Sequence, residues 1–599
     1  MTSNRKESAY RVRVDAAEMA RSRPHAVQLA NGDEQRFAAD NYAMSFTKGL
    51  EHCEKTGLVK NPLHFEAFRR AIDEGYVDPF TLNVPVPDGC ADNMPKRRKW
   101  EAPTAGLTYD LQGPDAQSVT MPPAPALGSD ELAYEMAEVY ELALLRDVPL
   151  VKFAAGAANE VDAAIGRLND LAYRPTAGKG RPRITDGTGQ LTKQEAFRGS
   201  SPGVDVGPYL SQFLLIGTAD QPKNADSGVG QGRITYGALR IDQRVPVAIQ
   251  HNYMTTWEEW LAVQNGCHVQ DDEALFKKDK RRFIWTPRDL ATYVHYDALY
   301  EAYLNACLIL LGMKVPFDPD FARFDRGFAG LSGEGPIYTS VPGAPDSVHD
   351  RQAGGFALYG GPHILTLVTE VATRALKAVR FQKFNNHLRL RPEALAARIE
   401  KAGKIGELFP CAGEKFDKLA NDIKWTVEAV RGSNKGLALL PMAFQEGSPM
   451  HPSYGAGHAA VAGACVTILK AYFDTSTVFV RRKGMGTKSG PFEAFARFDQ
   501  ARGDVPIAYE PANDGADIVA KTDGPCLTLE GELNKLAANI SIARNMAGVH
   551  YFSDYYDSLR LGEEIAIGLL EEQALCYPTD PFVLSVPTFD GGVRRIGRR

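Results

Sequence analysis

Several patterns that would assign this chain to common functional classes are missing. Its eight cysteines form no CxxC motif and no cysteine–histidine spacing, which excludes a zinc framework and predicts mostly buried thiols. No stretch reaches the roughly 20 apolar residues of a membrane span. The N-terminus also has no apolar segment of signal-peptide length. We therefore expect a soluble protein, cytoplasmic or of unassigned compartment, with no membrane partner, in which Cys90 is a candidate for pairing between subunits.

A strong charge of either sign is missing too. The formal net charge is −6 over 599 residues, which argues against a nucleic-acid partner and a polybasic membrane anchor. A chain of this length can bury a large core. Any anionic ligand must then be held by a local cluster of basic residues.

Helical periodicity dominates what is present. It predicts a mainly α protein, a large helical bundle with a few short β-hairpins. Residues 1–125 alternate short helical segments with proline- and glycine-rich connections. They predict an extended arm that wraps a neighbouring subunit, whereas residues 126–599 form the helical domain that carries the site. Within that domain, residues 287–312 and 363–384 each predict one continuous, largely apolar helix.

The stretch 441–470 changes character at one point. Up to Gly457 it is rich in proline and glycine, and from His458 it is small and apolar, which predicts a buried helix that starts there. The first N–H groups of a helix have no intrahelical acceptor, so they can bind an anion. His451 and His458 lie beside this turn, although a lone histidine in a turn is more often structural.

Two further stretches concentrate basic residues. In VRFQKFNNHLRLRPEA, Arg380 and Lys383 are three apart, and we expect them to share a helix face. Arg391 precedes Pro392, which predicts an extended residue at the start of a new helix. A lysine and a fixed arginine suit one oxyanion. Taken alone, a solvated basic helix end explains these residues equally well.

The last stretch is ARNMAGVHYFSDYYD. Arg544 and His550 are six residues apart, and on one continuous helix they would point about 120° apart. A break at Gly548 would bring them together. Asp554, one turn beyond His550, is placed to hold the other ring nitrogen of that histidine. The three stretches together describe a receptor for a tetrahedral oxyanion.

The order K-x7-R-P, G-x-G-H and R-x3-G-x-H-x3-D resembles the signature of the vanadium-dependent haloperoxidases and the related membrane and acid phosphatases. The longer spacing between Lys383 and Arg391 is similar to the bromoperoxidase branch of red algae and cyanobacteria. Segments such as AGLTYDLQGPDAQSVTMPPAPAL, from position 105, extend the likeness over most of the chain. The resemblance implies the helical haloperoxidase fold and a vanadate cofactor.

The resemblance also implies roles for individual residues. His550 would be the vanadium ligand, with Asp554 behind it, and His458 the acid–base residue that takes a proton from hydrogen peroxide. Lys383 would polarise the peroxide. The vanadate oxygens would be held by Lys383, Arg391, Gly457, His458 and Arg544. Arg380 and His451 match the halide pocket, which implies bromide, ahead of iodide and chloride, as the halide oxidised to hypohalous acid that halogenates small organic substrates.

One position departs from the family pattern. A serine usually stands two residues before the catalytic histidine, and this chain has Ala456 there. A hydrogen bond to a charged acceptor contributes roughly 1.5–3 kcal/mol. We therefore expect weaker vanadate retention and not a dead site.

Three functions stay open at this point. The main hypothesis is peroxide-driven bromide oxidation. The alternative is a phosphatase of the same superfamily, in which His550 is the nucleophile and His458 protonates the leaving group. The third is a non-catalytic oxyanion-binding protein. The resemblance further implies a homo-oligomer, up to a dodecamer, and a calcium ion in the loop before the Lys383 helix, for which residues 316–335 give no support of their own.

Overall fold

The computed structural model describes residues 4–87, 97–154, 159–176, 178–218, 229–267, 275–319, 356–482, 492–577 and 582–597. Cys90 lies outside these ranges, as does most of the segment 316–335 considered for calcium. Among the described residues, no group of three or more His, Cys, Asp or Glu side chains could hold a metal ion. Within the same ranges, no helix combines the length and the apolar surface that crossing a membrane requires.

The described chain is mainly helical, as predicted. The helices of eight or more residues are α1 (Arg5–Ser22), α2 (Pro62–Glu74), α3 (Asp130–Leu144), α4 (Asn159–Asn169), α5 (Trp257–Gln264), α6 (Pro287–Tyr296), α7 (Glu301–Gly312), α8 (Gly361–Phe381), α9 (Pro392–Glu400), α10 (Pro410–Asp422), α11 (Lys424–Ser433), α12 (Gly457–Tyr472), α13 (Leu529–Met546) and α14 (Phe552–Ala574). Local sequence explains many of the starts. Ser129, for example, caps α3 by accepting the Leu132 N–H at 3.2 Å.

The strands are short, and some of their side chains, such as Phe479 and Leu584, belong to the main core. They are β1 (Arg233–Tyr236), β2 (Leu239–Asp242), β3 (Val245–Ala248), β4 (Phe276–Arg282), β5 (Val478–Arg482), β6 (Phe492–Ala496), β7 (Val505–Pro506), β8 (Ala508–Ala512), β9 (Asp517–Lys521), β10 (Val583–Pro587) and β11 (Val593–Gly597). All pairings between them are antiparallel. The predicted short β-hairpins are therefore present, for example as β1–β2 and β10–β11.

Helix α12 lies at the centre of the core. Every residue from Ala459 to Tyr472 is buried, and the helix packs on α8, α13 and α14. Its contact with α14 is backbone against backbone. A Cβ added to Gly463 would lie 1.9 Å from the Leu559 carbonyl oxygen, and one added to Gly562 would lie 1.9 Å from that of Ala460. The two glycines therefore set the separation of the helices that carry the site.

Two helix predictions are wrong in a way that matters for the site. Residues 287–312 form two helices, because the chain turns extended at Asp297 (φ −67°, ψ 151°) before α7 starts. Arg380 and Lys383, which are predicted to share a helix face, do not lie on one α-helix. Helix α8 ends at Phe381 and continues as a π-helical turn over Gln382–His387, closed by a hydrogen bond of 3.0 Å from the Leu388 N–H to the Lys383 carbonyl oxygen.

The N-terminal region packs on its own chain over much of its length. Side chains such as Phe37, Met44 and Met121 belong to the main core. Residues between Phe46 and Val84 form a second cluster with Phe384 and Leu388 of the π-helical turn. Helix α1 differs, because none of its residues is buried.

The prediction of mostly buried thiols is wrong. Cys307 and Cys465 are buried, but Cys411, Cys526 and Cys576 are exposed. The exposed three lie at a helix start, in a loop and in a turn after a helix, respectively. Cys267 is disulfide-bonded.

We predict that Gly562→Ala destabilises the protein by about 3 kcal/mol or more, because the added methyl group must push α12 and α14 apart. Gly166→Ala is the matched control. A Cβ at Gly166, in the surface helix α4, meets nothing within 4 Å, so alanine there should stabilise slightly. Calorimetric unfolding midpoints measure both. A midpoint for Gly562→Ala equal to that of the wild type would contradict the packing argument.

Candidate active site

Lys383 is buried within the π-helical turn. Its Nζ donates to the carbonyl oxygens of Pro452 at 2.7 Å and Ser453 at 3.1 Å, in the turn before α12. Burial, with Arg391 and Arg380 nearby, lowers the pKa of Lys383 well below its ordinary value. No carboxylate accepts a hydrogen bond from this ammonium group among the described residues, so its charge is incompletely compensated.

Arg391 contacts two of the other predicted residues, His451 and His550. It adopts the extended conformation expected before Pro392, at the N-cap of α9 (φ −77°, ψ 154°). Its guanidinium donates to the Val549 carbonyl oxygen at 2.6 Å, and its nitrogens lie 3.1 Å from His550 Nε2 and 2.8 Å from His451 Nδ1. Burial lowers its pKa.

His550 lies in the predicted break between two helices. Helix α13 ends at Met546, Gly548 adopts φ +87°, and α14 starts at Phe552. The expected pairing is present, because His550 Nδ1 lies 2.8 Å from Asp554 Oδ2. Since Nδ1 donates to that carboxylate, Nε2 carries the lone pair, and it faces Arg391. Burial, followed by Arg391, lowers the pKa of His550 well below its usual value, which favours the neutral ring.

A buried network holds Asp554. Its second oxygen accepts from Arg389 at 2.8 Å, and Ser453 Oγ donates to the oxygen that faces His550. Arg389 also pairs with Glu135 of α3. Burial alone would raise the pKa of Asp554, but Arg389 and the hydrogen bond from His550 lower it overall, so the carboxylate stays charged. Ser453 is thus committed to Asp554 and does not replace the missing serine at position 456.

His458 has a partner that the sequence did not indicate. Its Nε2 lies 3.2 Å from Oδ1 of Asp297, the residue at which the chain breaks between α6 and α7. A hydrogen bond from Nε2 to this carboxylate leaves Nδ1 able to accept a proton. The extended residue between α6 and α7 is therefore the one that contacts His458.

Two more cations complete the cluster. Burial lowers the pKa of Arg544 and of Arg380. Arg544 Nε and Arg380 Nη1 are buried and have no hydrogen-bond partner within the described part of the chain. Arg544 is coupled to Asp297 through space. The pair formed by His458 and Asp297 therefore borders the same cationic region.

The glycine turn starts α12 as predicted. Gly457 is the first helical residue, and Ala456 occupies the N-cap with no side-chain cap. The N–H groups of Gly457 and His458 have no acceptor inside the helix. The helix start therefore adds partial positive charge.

The structure brings together the predicted residues around one buried cationic region. His451 belongs to it, and burial with Arg380 and Lys383 lowers the pKa of that histidine well below its usual value. Sequence reasoning missed Asp297, Arg389, Glu135 and Glu101. A charged residue at the end of an apolar helix was a weak indication for Asp297. No local pattern distinguishes the other three.

Comparisons with known proteins show which proteins this chain is similar to. No protein-family model matches the chain. A vanadium-dependent bromoperoxidase from Corallina officinalis is 41% identical over 98% of both chains, and one from Corallina pilulifera is 40% identical with the same coverage. The chain belongs to the vanadium-dependent bromoperoxidase family.

More distant relatives support the same assignment. A vanadium-dependent bromoperoxidase from Ascophyllum nodosum is 30% identical over 96% of this chain and 89% of the relative. A solved homohexameric vanadate-dependent bromoperoxidase from the same organism has a TM-score of 0.75 at 24% identity, and the match covers 99% of this chain and 91% of that one. The predicted mainly α haloperoxidase fold is confirmed.

We predict that, at pH values above the pKa of Lys383 in the free site, sulfate binding to the vanadate-free protein is accompanied by proton uptake. The free site lowers the pKa of Lys383, and a bound dianion would raise it again. Affinity should be constant below the free-site pKa and fall above it, by up to tenfold per pH unit for one proton. Calorimetry in buffers of different ionisation enthalpy measures this uptake.

The variant Lys383→Met should remove the uptake. Lys377→Met is the matched control, because Lys377 lies on α8 and pairs with Asp110 at 2.9 Å outside the cationic region. Equal proton uptake by wild type and Lys383→Met would show that Lys383 does not titrate with binding.

Proposed function

We propose that this chain is a vanadate-dependent peroxidase that oxidises bromide with hydrogen peroxide to hypobromous acid, which halogenates organic molecules. The observation that carries the proposal is that Lys383, Arg391 and Arg544 lie close together in the interior, and within the described ranges none of the three forms a direct ion pair with a carboxylate. A single buried arginine can be satisfied by backbone carbonyls, as Arg398 is by those of Ala43 and Gly57. Several adjacent cations instead need an anionic ligand.

The donor set fits vanadate. Two features support this fit. Arg544 Nε has no hydrogen-bond partner within the described part of the chain, and the lone pair of the neutral His550 Nε2 faces Arg391 in the same cationic region. We assign the vanadium ligand to His550 Nε2, which Asp554 orients. We propose that Lys383, Arg391, Arg544 and the Gly457 N–H bind the negatively charged oxygens of vanadate. When bound, vanadate supplies a Lewis acid that makes hydrogen peroxide electrophilic without a change in the oxidation state of the metal.

His458 is the proposed acid–base residue. Its Nδ1 accepts a proton from hydrogen peroxide and returns it later to the product oxygen. Asp297, 3.2 Å from Nε2, stabilises the positive ring that forms. Lys383 donates a hydrogen bond to the peroxide and increases its electrophilic character. Arg380 and His451 hold bromide, the anion to be oxidised.

The proposal also covers the N-terminal arm, residues 1–125, and the assembly of subunits into a homo-oligomer. Helix α1 buries none of its residues against its own chain, so its packing partner would have to come from another subunit. We assign residues 1–125 as an N-terminal region whose first helix covers a neighbouring subunit of a homo-oligomer, with a dodecamer as one arrangement. The solved vanadate-dependent bromoperoxidase from Ascophyllum nodosum is a homohexamer. A calcium ion has no supporting contact in the described residues and is not assigned.

We predict that vanadate-loaded protein brominates a phenol dye with peroxide and bromide, whereas the vanadate-free protein releases no nitrophenol from nitrophenyl phosphate. His458→Ala should lower the bromination kcat/KM by roughly 10²- to 10⁴-fold, since it removes the acid–base group. The exposed His25→Ala is the control. Phosphate ester hydrolysis without bromination would establish the phosphatase instead, and neither activity would establish a binding protein.

We predict that Ala456→Ser increases vanadate affinity by roughly ten- to hundredfold, the effect of one hydrogen bond to a charged acceptor. A serine at this N-cap could instead bond to the helix N–H groups. In that case the unfolding midpoint of the vanadate-free protein would rise with no change in vanadate affinity. Titration of vanadate into both apo-proteins, with unfolding scans beside it, separates the two outcomes.

A further inference from the structure

Glu101 brings a carboxylate to the edge of the cationic region. Its backbone is fixed, because its N–H donates to the Met450 carbonyl oxygen at 3.0 Å, one residue before His451. The preceding Trp100 packs on Phe68 and donates its indole N–H to the Lys48 carbonyl oxygen at 2.9 Å. The Glu101 side chain itself is 46% exposed. The backbone is therefore held while the carboxylate can move.

One oxygen of this carboxylate faces both residues of the proposed halide pocket. Glu101 Oε2 lies 3.5 Å from His451 Nε2 and 3.6 Å from Arg380 Nη2. The other terminal nitrogen of Arg380 is buried and has no partner among the residues described. Arg380 of α8 and His451 of the turn before α12 therefore both face the same negatively charged oxygen, Glu101 Oε2.

The surroundings make that point suitable for any small anion. Arg380, Lys383 and Arg391 all act on His451 through space, and the field they create is positive. A halide held by Arg380 and His451 would occupy the position of the carboxylate oxygen, or lie against it. Like charges at such a separation repel, so the two anions exclude one another.

We propose that Glu101 is a specificity-determining residue that competes with the halide for Arg380 and His451. In the resting site its carboxylate fills the halide position, and it turns toward solvent when a halide binds. Its pair with Arg380 opens readily, because the two charged atoms are 3.6 Å apart and the carboxylate is in contact with solvent. The inference rests on the proposed bromide oxidation and adds to it the residue that sets halide affinity.

Glu101→Gln tests this, because it keeps the shape of the side chain and removes its charge. We expect the bromide KM to fall by roughly three- to tenfold, with a smaller change in kcat. Glu370→Gln is the matched control. Glu370 is 47% exposed and pairs at 2.6 Å with Arg374, a largely buried arginine of the same helix α8, away from the pocket. Its bromide KM should equal that of the wild type.

A binding measurement separates this inference from the proposed function. The line width of the bromide NMR signal reports bromide binding to the vanadate-free protein, where no oxidation takes place. Glu101→Gln should bind bromide three- to tenfold more tightly than the wild type. In proteins that also carry Arg380→Met, the change at Glu101 should no longer alter the affinity for bromide. If the wild type oxidises no bromide, the proposed function fails, yet this titration still decides the role of Glu101.

The opposite results would overturn the inference. If Glu101→Gln binds bromide as tightly as the wild type does, the carboxylate does not compete with bromide for Arg380 and His451. Weaker binding would show that Glu101 holds Arg380 and His451 in position for the halide. Glu101→Asp adds a second test, because the shortened carboxylate keeps its charge but reaches the donors less well. It should bind bromide with an affinity between those of wild type and Glu101→Gln.

Discussion

Uncompensated positive charge in the interior is the constraint around which this structure is built. Two arginines only two residues apart show it. Burial alone lowers the pKa of Arg389, but Glu135 and Asp554 outweigh it and raise that pKa above its usual value. Arg391 donates to carbonyl oxygens and histidines, and burial lowers its pKa. The first arginine is paired with two carboxylates, and the second has no ion pair among the described residues, which is why we propose it as an anion-binding group.

The core explains how such a site can persist. Buried charges without partners are costly, so the surrounding structure must hold them in place. The contact of α12 with α14 at Gly463 and Gly562 fixes the two helices whose N-terminal ends carry Gly457 and His550. Asp554 links α14 to α3 through Arg389 and Glu135. The catalytic geometry is therefore held by the most buried part of the bundle.

The sequence predicted the helical class and most helices because periodicity and capping are local. Predictions failed where contacts distant in the chain override local preference. The π-helical turn after α8 carries Phe384 and Leu388 into the second hydrophobic cluster. The helix expected through residue 297 is interrupted at the residue that contacts His458, 161 positions away. In both places a long-range contact decides the backbone.

By itself the sequence determined the residues of the cationic site, the start of α9 at Pro392, the break at Gly548 and the missing hydroxyl at position 456. Each of these follows from a residue type and its near neighbours. Only the tertiary structure decided that Asp297 partners His458, that Ser453 is committed to Asp554 and that Glu101 faces Arg380 and His451. Those contacts join segments far apart in the chain, and no local spacing encodes which carboxylate meets which cation.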